Sequence, residues 1–466
     1  MYKKTKIVAT IGPACWDNDI LTKMIESGVN VARINTSHSQ EGEIERVTKQ
    51  IREISDDVAV LIDLKGPEIR LNDFGDESVE LEKNQEFIFG SKEGTQRVWV
   101  SHGDLYKDVK PGTRLLVDDG KLIFDVIEID GTDIKTRVVN GGVLKKNKTM
   151  NVPGRHISFS GLVEKDYNDI LIALSIGADF IAGSFIRNIE DVQNIRSLTQ
   201  NSNVKIISKI ENAEGVMNFD SILNESDGIM IARGDLGVEI PAHQVPIYQK
   251  SFIKKCNSAG KPVIVATQML ESMTTNPTPT RAEVNDVANA IFDGTDAVML
   301  SGETSIGKYP VEAVSVMSSV AREVEPHIDP KITESMPGAK PATNAIVRAV
   351  ADICSELPID KVLVATATGT TAIALSRFHL RQPIYAFTRE ALFKRRLSLY
   401  RGIQGDVIET AGSSRDLGVK AVAQEAHKNG LVSESDLVVV VAGANILGQG
   451  ATNMLEIQRV GELLSE

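Results

Sequence analysis

The chain has 466 residues with a formal net charge of −12, and 42% of it is hydrophobic. That length can build several hydrophobic cores, and the acidic balance excludes nucleic acid or an anionic membrane surface as the main partner. No run approaches a membrane span, the N-terminus lacks a secretory apolar stretch, and Cys15, Cys256 and Cys354 are too dispersed for a disulfide framework or structural zinc, so a cytoplasmic location is expected.

In chain order, the apolar run Lys6–Thr10 leads into Ile11-Gly12-Pro13. Residues 29–34 lead into Asn35-Thr36-Ser37-His38, and residues 58–62 into Asp63-Leu64-Lys65-Gly66-Pro67-Glu68. Phe180–Gly183 ends at Ser184, and the stretches 205–211 and 229–235 each end in ions. Val263–Ala266 stops at Thr267-Gln268, and Ala297–Leu300 at Ser301-Gly302-Glu303. Each reads as a buried parallel strand whose apolar run breaks off at polar side chains. Stretches of helical period, such as residues 20–27 and Glu43–Ile54, separate most of them. Eight β/α units predict a (β/α)8 barrel over residues 1–70 and 157–330, with its chemistry at the carboxyl ends of the strands.

The interval between the third and fourth strands is about four times longer than the roughly 25 to 35 residues that separate most of the others. Its texture also differs. Val79-Glu80-Leu81-Glu82 alternates, residues 114–124 carry a turn at Asp118-Asp119-Gly120, and two alternating runs flank Gly131. Residues 71–156 therefore read as a small inserted β-barrel, a candidate lid over the strand ends. After a helix near residues 309–325, the Pro-rich stretch 326–341 marks a linker. Residues 342–466 alternate helices with apolar runs and predict a second α/β domain, an open sheet with helices on both faces.

Strand alternation puts Lys209 and Glu211 on one face. With Asp235, they form a lysine flanked by two carboxylates at strand ends, suited to a divalent cation that holds an anionic substrate. In the C-terminal domain, Thr366-Ala367-Thr368-Gly369-Thr370-Thr371 lies between a strand and a helical stretch and could cradle an anion or simply cap the helix.

Six segments carry a family resemblance. They are Asp63-Leu64-Lys65-Gly66-Pro67-Glu68-Ile69-Arg70, Lys209-Ile210-Glu211-Asn212, Ala232-Arg233-Gly234-Asp235-Leu236-Gly237, residues 266–273, Pro279-Thr280-Arg281-Ala282-Glu283 and Met299-Leu300-Ser301-Gly302-Glu303-Thr304. In this order they resemble the pyruvate kinases over essentially the whole chain. The resemblance implies transfer of a phosphoryl group from phosphoenolpyruvate to ADP, giving pyruvate and ATP, on a barrel with a lid and a C-terminal regulatory domain. It implies Mg²⁺ on Glu211 and Asp235, with Lys209 on the transferring group and Thr267 linked to protonation of the enolate. Gly234, Asp235, Arg33, Lys209 and Thr267 would contact substrate, and Asn35, His38, Arg70 and Lys165 would face the nucleotide or transferring phosphoryl.

The same resemblance implies K⁺ on Asn35, Ser37, Asp63 and the Leu64 carbonyl, an oxygen set suited to a large, weakly charged cation. Glu68 fits that expectation, because members that dispense with K⁺ tend to carry lysine there. Thr36 and Ser39 depart from the usual Phe and Gly, and Phe159-Ser160-Gly161 from the usual Leu-Pro-Ala. A phosphorylated effector would sit at Thr366, Thr368, Gly369, Thr370 and Thr371. Residues 443–453, the second loop of that site, hold no Lys or Arg, so a sugar or nucleotide monophosphate, or no effector, stays open. A homotetramer is expected by resemblance. Two other classes fit parts of the pattern, a Mg²⁺-dependent lyase or decarboxylase of oxaloacetate-like acids and a catalytically inactive metabolite sensor.

Overall fold

The computed structural model describes residues 3–72, 74, 78–90, 98–331, 335–408, 415–443 and 452–465, with only the backbone at 415–417. Eight parallel strands close into a barrel: β1 Lys6–Thr10, β2 Val31–Asn35, β3 Ala59–Asp63, β4 Phe180–Gly183, β5 Lys205–Ile210, β6 Gly228–Ala232, β7 Val263–Ala266 and β8 Ala297–Leu300. Each pairs with the next, and β8 returns to β1 through Lys6↔Ala297. Alternation sorts their side chains into two shells. Val8, Val31, Leu61, Ala182, Ile207 and Met230 pack inside the barrel. Their neighbours Ile7, Ala32, Ile62, Ile181, Ile206 and Ile231 join the larger shell shared with the outer helices.

Capping chemistry sets where the helices begin. Asp17 accepts from the backbone of Asp19 and Ile20 at the start of Asn18–Ser27. The Pro279–Glu283 segment is a capping box: Thr280 and Glu283 satisfy each other's backbone N–H groups at the head of Arg281–Asp293. Glu283 also accepts from Ser272, tying that helix to the loop after β7.

The insertion holds a seven-stranded sheet ordered Ile69–Arg70, Thr149–Asn151, Arg114–Val117, Leu122–Asp130, Asp133–Asn140, Glu86–Gly90, Val98–Trp99, and a separate antiparallel pair of Ser78–Leu81 with Gly142–Lys145. An isolated bridge between Leu71 and Val100 brings its two edge strands together, so the sheet curls on itself. Asp118, Asp119 and Gly120 all take positive φ at one hairpin tip, as a tight turn requires. Phe87, Phe89 and Phe124 pack edge to face in its core.

The C-terminal sheet runs Ile403–Val407, Ile384–Thr388, Lys361–Ala365, Leu437–Gly443, Thr452–Arg459, with the last strand antiparallel and an apolar cluster on each face. Leu399 leaves this domain and joins the cluster inside the barrel, fully buried. The C-terminal domain thus plugs the end of the barrel opposite the strand carboxyl termini.

Candidate active site

Going up each strand, the next inward position above the apolar interior is polar: Thr10, Arg33, Asp63, Ser184 and Lys209 follow Val8, Val31, Leu61, Ala182 and Ile207 at spacings of two. These side chains form one connected cluster. Arg33 donates to Thr10 Oγ1 at 2.8 Å and to Asp63 Oδ2 at 2.6 Å. Lys209 Nζ lies 3.3 Å from Asp63 Oδ1 and 2.9 Å from Glu211 Oε1, and donates to Ser184 Oγ at 2.7 Å. Ser184 in turn donates its hydroxyl hydrogen bond to the Leu64 carbonyl at 2.7 Å. All are buried.

The electrostatics follow from this contact map. Burial alone would lower Lys209, but the Asp63 and Glu211 carboxylates outweigh it and hold the ammonium above the ordinary lysine range. Burial acts against Asp63, yet Lys209 and Arg33 together keep it below the usual carboxylate range. Glu211 is pushed up to about 7 by burial and by the Asp235 carboxylate, with Lys209 pulling the other way. Its Oε2 accepts from the Phe185 backbone at 2.6 Å. Asp235 is raised too, by burial and then by Asp119 and Glu68 against the pull of Lys209. Two carboxyls both raised by burial are groups whose charged form a bound cation would favour.

Asp235 does not sit at a strand end. β6 stops at Ala232, and Arg233–Glu239 is already helical, so Asp235 lies in the first turn of that helix. Gly234 N donates to Thr267 Oγ1 at 2.7 Å, and Thr267 Oγ1 donates to the Ala266 carbonyl at 2.6 Å. Thr267 and Gln268 take φ of 67° and 54°, a strained conformation for two successive non-glycine residues. Arg233 holds that turn. Its guanidinium donates to the Thr267 carbonyl at 2.8 Å and grips both oxygens of Asp286 at 2.7 Å. Asp119 from the inserted hairpin, Asp235, Thr267 and Ser301 line a cleft of about 900 Å³ beside the cluster.

Asn35 stands opposite Asp63 in the β2–β3 register, and its Oδ1 accepts from Ser37 N at 3.2 Å. The Leu64 carbonyl borders the same strand ends. Other expected residues stay outside the cluster. Arg70 lies on the inserted sheet and pairs with Glu68 at 2.5 Å. His38 is exposed, and Lys165 is bound to Asp169 at 3.0 Å one helical turn away. In the C-terminal loop, Thr366 Oγ1 accepts from Gly369 N at 3.1 Å and Thr371 shares a hydroxyl bond with Thr452 at 2.6 Å. Thr368 and Thr370 pair at 3.0 Å and remain exposed. Residues 444–451 of the second loop lie outside the described residues.

Ser184, Asp119, Arg233 and Asp286 carry contacts that sequence reading did not assign. Ser184 was visible only as a polar residue closing an apolar run, and Asp119 only as a turn residue. Asp286 gives no local signal, because its partner is 53 positions away.

Among the described residues, no group of three or more His, Cys, Asp or Glu converges as an all-protein metal cage. Glu211 and Asp235, as hard oxygen donors, instead suit a divalent ion that keeps most of its shell for water and substrate oxygens. The oxygens of Asn35, Ser37, Asp63 and Leu64, with no sulfur or imidazole, suit a large monovalent ion.

Comparison with known proteins agrees with this architecture. The family model described as "Pyruvate kinase, barrel domain" matches residues 2–314, and "Pyruvate kinase, alpha/beta domain" matches 344–458. A pyruvate kinase of Geobacillus stearothermophilus is 43% identical over 100% of this chain and 82% of its own length. One from Clostridium acetobutylicum is 42% identical over 98% of this chain and 100% of its own. A crystal structure of a pyruvate kinase from Cryptosporidium parvum superposes with TM-score 0.91 at 37% identity, covering 98% of this chain and 96% of that one. With both family models matching in order and relatives aligned over essentially the whole of this chain, the chain belongs to the pyruvate kinase family of phosphotransferases.

Proposed function

We propose that this protein transfers the phosphoryl group of phosphoenolpyruvate to ADP, giving pyruvate and ATP, with Mg²⁺ on Glu211 and Asp235 and K⁺ on Asn35, Ser37, Asp63 and the Leu64 carbonyl. The observation that carries this reading is the buried Lys209 ammonium, bonded to Glu211 and Asp63 at the barrel mouth, with Asp235 in the first turn of the helix that follows the neighbouring strand β6. Phosphoryl transfer asks a protein mainly for positioning and charge neutralisation, and this cluster offers both. When bound, the divalent ion supplies Lewis-acid neutralisation of the substrate carboxylate and enolate oxygens, and the monovalent ion adds positive charge beside the phosphate.

The chain's own groups take the remaining roles. Lys209 and Arg33 hold positive charge toward the transferring phosphoryl, each kept in place by Asp63. The start of the Arg233–Glu239 helix offers backbone N–H groups to the substrate carboxylate. A carboxylate taking the Gly234 N–H would release Thr267, whose hydroxyl then serves the proton path to the enolate carbon. Arg70, His38 and Lys165 meet the nucleotide as the lid closes, Arg70 and the lid moving together because both belong to the inserted sheet.

The finer features belong to the same reading. A phosphorylated effector is proposed at the 366–371 loop, where Thr368 and Thr370 offer exposed hydroxyls. A homotetramer is proposed from the family resemblance, and Ile247 and Phe292 stand exposed on helices of the barrel. A cytoplasmic location is proposed; among the described residues no helix is long and apolar enough to cross a membrane. The test is a coupled assay of pyruvate formation from phosphoenolpyruvate with and without ADP, for the parent and Lys209→Ala. The expected result is ADP-dependent turnover in the parent alone. Pyruvate formed from oxaloacetate without ADP would move the assignment to a lyase.

A further inference from the structure

Ser184 is buried, 4% exposed, at the end of β4. Its single oxygen meets both halves of the proposed site. Lys209 Nζ donates to it at 2.7 Å, and its hydroxyl donates to the Leu64 carbonyl at 2.7 Å, with Asp63 Oδ1 at 3.3 Å. A hydroxyl can accept from an ammonium while donating to a carbonyl, and the two bonds polarise each other. Alanine could do neither.

The surrounding backbone keeps this oxygen where it is. Gly66, at φ +68°, lets the loop after β3 run directly against Ser184: a Cβ at Gly66 would lie 2.8 Å from Ser184 Cβ. Asp166 Oδ1, in the first turn of the helix Glu164–Ser175, accepts from Gly66 N and holds the loop in that position. On the other side, Phe185 N donates to Glu211 Oε2 at 2.6 Å from a left-handed conformation, φ +54°. Successive residues, Ser184 and Phe185, therefore orient Lys209 and Glu211.

We propose that Ser184 is a positioning residue that couples the monovalent-cation oxygens to the phosphoryl-directing ammonium, by fixing the Leu64 carbonyl and Lys209 through one hydroxyl. Charge at the Leu64 carbonyl is then felt at Lys209 through a two-bond path. The inference rests on the phosphoryl-transfer reading above and deepens it.

The test compares the parent, Ser184→Ala and Ser184→Cys, which keeps the size and a weak donor. Three readouts are taken: kcat and KM for phosphoenolpyruvate, the K⁺ concentration for half-maximal activation, and the thallium NMR line width in a Tl⁺ titration of the resting protein. Loss of a buried hydrogen bond to a charged group predicts a fall in kcat of ~10–100-fold in Ser184→Ala with little change in KM. A several-fold weaker response to K⁺ and to Tl⁺ is expected alongside, at an unchanged Mg²⁺ requirement, with Ser184→Cys in between. A Ser184→Ala protein with parental kcat, or one with lowered kcat but parental K⁺ and Tl⁺ responses, overturns the proposal. Because the parent's ADP-dependent turnover is measured in the same series, failure of the reaction assignment would appear as an inactive parent and be read separately.

Discussion

Lys209, near the end of β5, and Glu211, just past it, meet through their side chains at 2.9 Å above an apolar barrel interior. The strand pleat alone brings them to one face. The contact becomes a site because Asp63, 146 positions earlier in the chain, approaches the same ammonium from β3.

Replacing Lys209 by alanine should remove the group proposed to neutralise the transferring phosphoryl and leave Asp63 and Glu211 less compensated. Turnover is expected to fall by ~10²–10³-fold or more. Unfolding in urea should show a loss of about 3–5 kcal/mol, as for breaking a buried ion pair. Added Mg²⁺ should restore part of that stability. A variant as stable as the parent without metal would contradict the ion-pair geometry.

Glu211→Gln and Asp235→Asn should each raise the Mg²⁺ needed for half-maximal activity by at least ~10–100-fold, and chelation should silence the parent. Turnover should also fall steeply when K⁺ is withdrawn. Full activity in Na⁺ or Li⁺ alone would remove Asn35, Ser37, Asp63 and Leu64 from the cation assignment.

Asp286 acts at a distance. It anchors Arg233, which holds the strained Thr267–Gln268 turn. Asp286→Asn should relax that turn and lower kcat by roughly 10-fold, as for a lost charge-assisted bond, with an unfolding midpoint close to the parent's. An unchanged kcat would show that the turn holds itself.

Leu399 is the only residue of the C-terminal domain in the barrel's inner cluster among the described residues. Leu399→Ala should cost about 2–5 kcal/mol by chemical denaturation, the range for a buried leucine whose surroundings collapse incompletely. A loss below that range would mean the barrel floor closes without it.

The floor also carries a pH signature. Burial lowers Lys4 and Lys6 to about 8, with Glu325 partly opposing it in both. Below that value both lysines are charged in the folded and the unfolded chain. Above it the unfolded chain binds protons that the folded protein has shed, so stability rises with pH, on the order of 1 kcal/mol per unit for each lysine. Buried Cys15, Cys256 and Cys354 work in the opposite sense above about 9, because their thiols are raised and the unfolded chain ionises first. Denaturation between about pH 8 and 9 should therefore show rising stability, and Lys6→Met should flatten the rise.

Much of this was legible in the residues themselves. Apolar runs ending at polar side chains marked all eight barrel strands, with β2 and β3 shifted by one or two positions because Asn35 and Asp63 still pair in register. Lys209, Glu211 and Asp63 could be read from local pattern because alternation and strand ends are short-range properties. Asp235 could not be placed that way: whether the chain turns helical at Arg233 depends on packing after the strand ends. The tertiary structure alone decided which strand ends share an atom, and so disclosed Ser184 between Lys209 and Leu64, Asp286 behind Thr267, and Leu399 in the barrel floor. A side chain's identity and its period are written along the chain. Its partner is chosen by closure of the barrel, which brings residues more than a hundred positions apart within hydrogen-bonding reach.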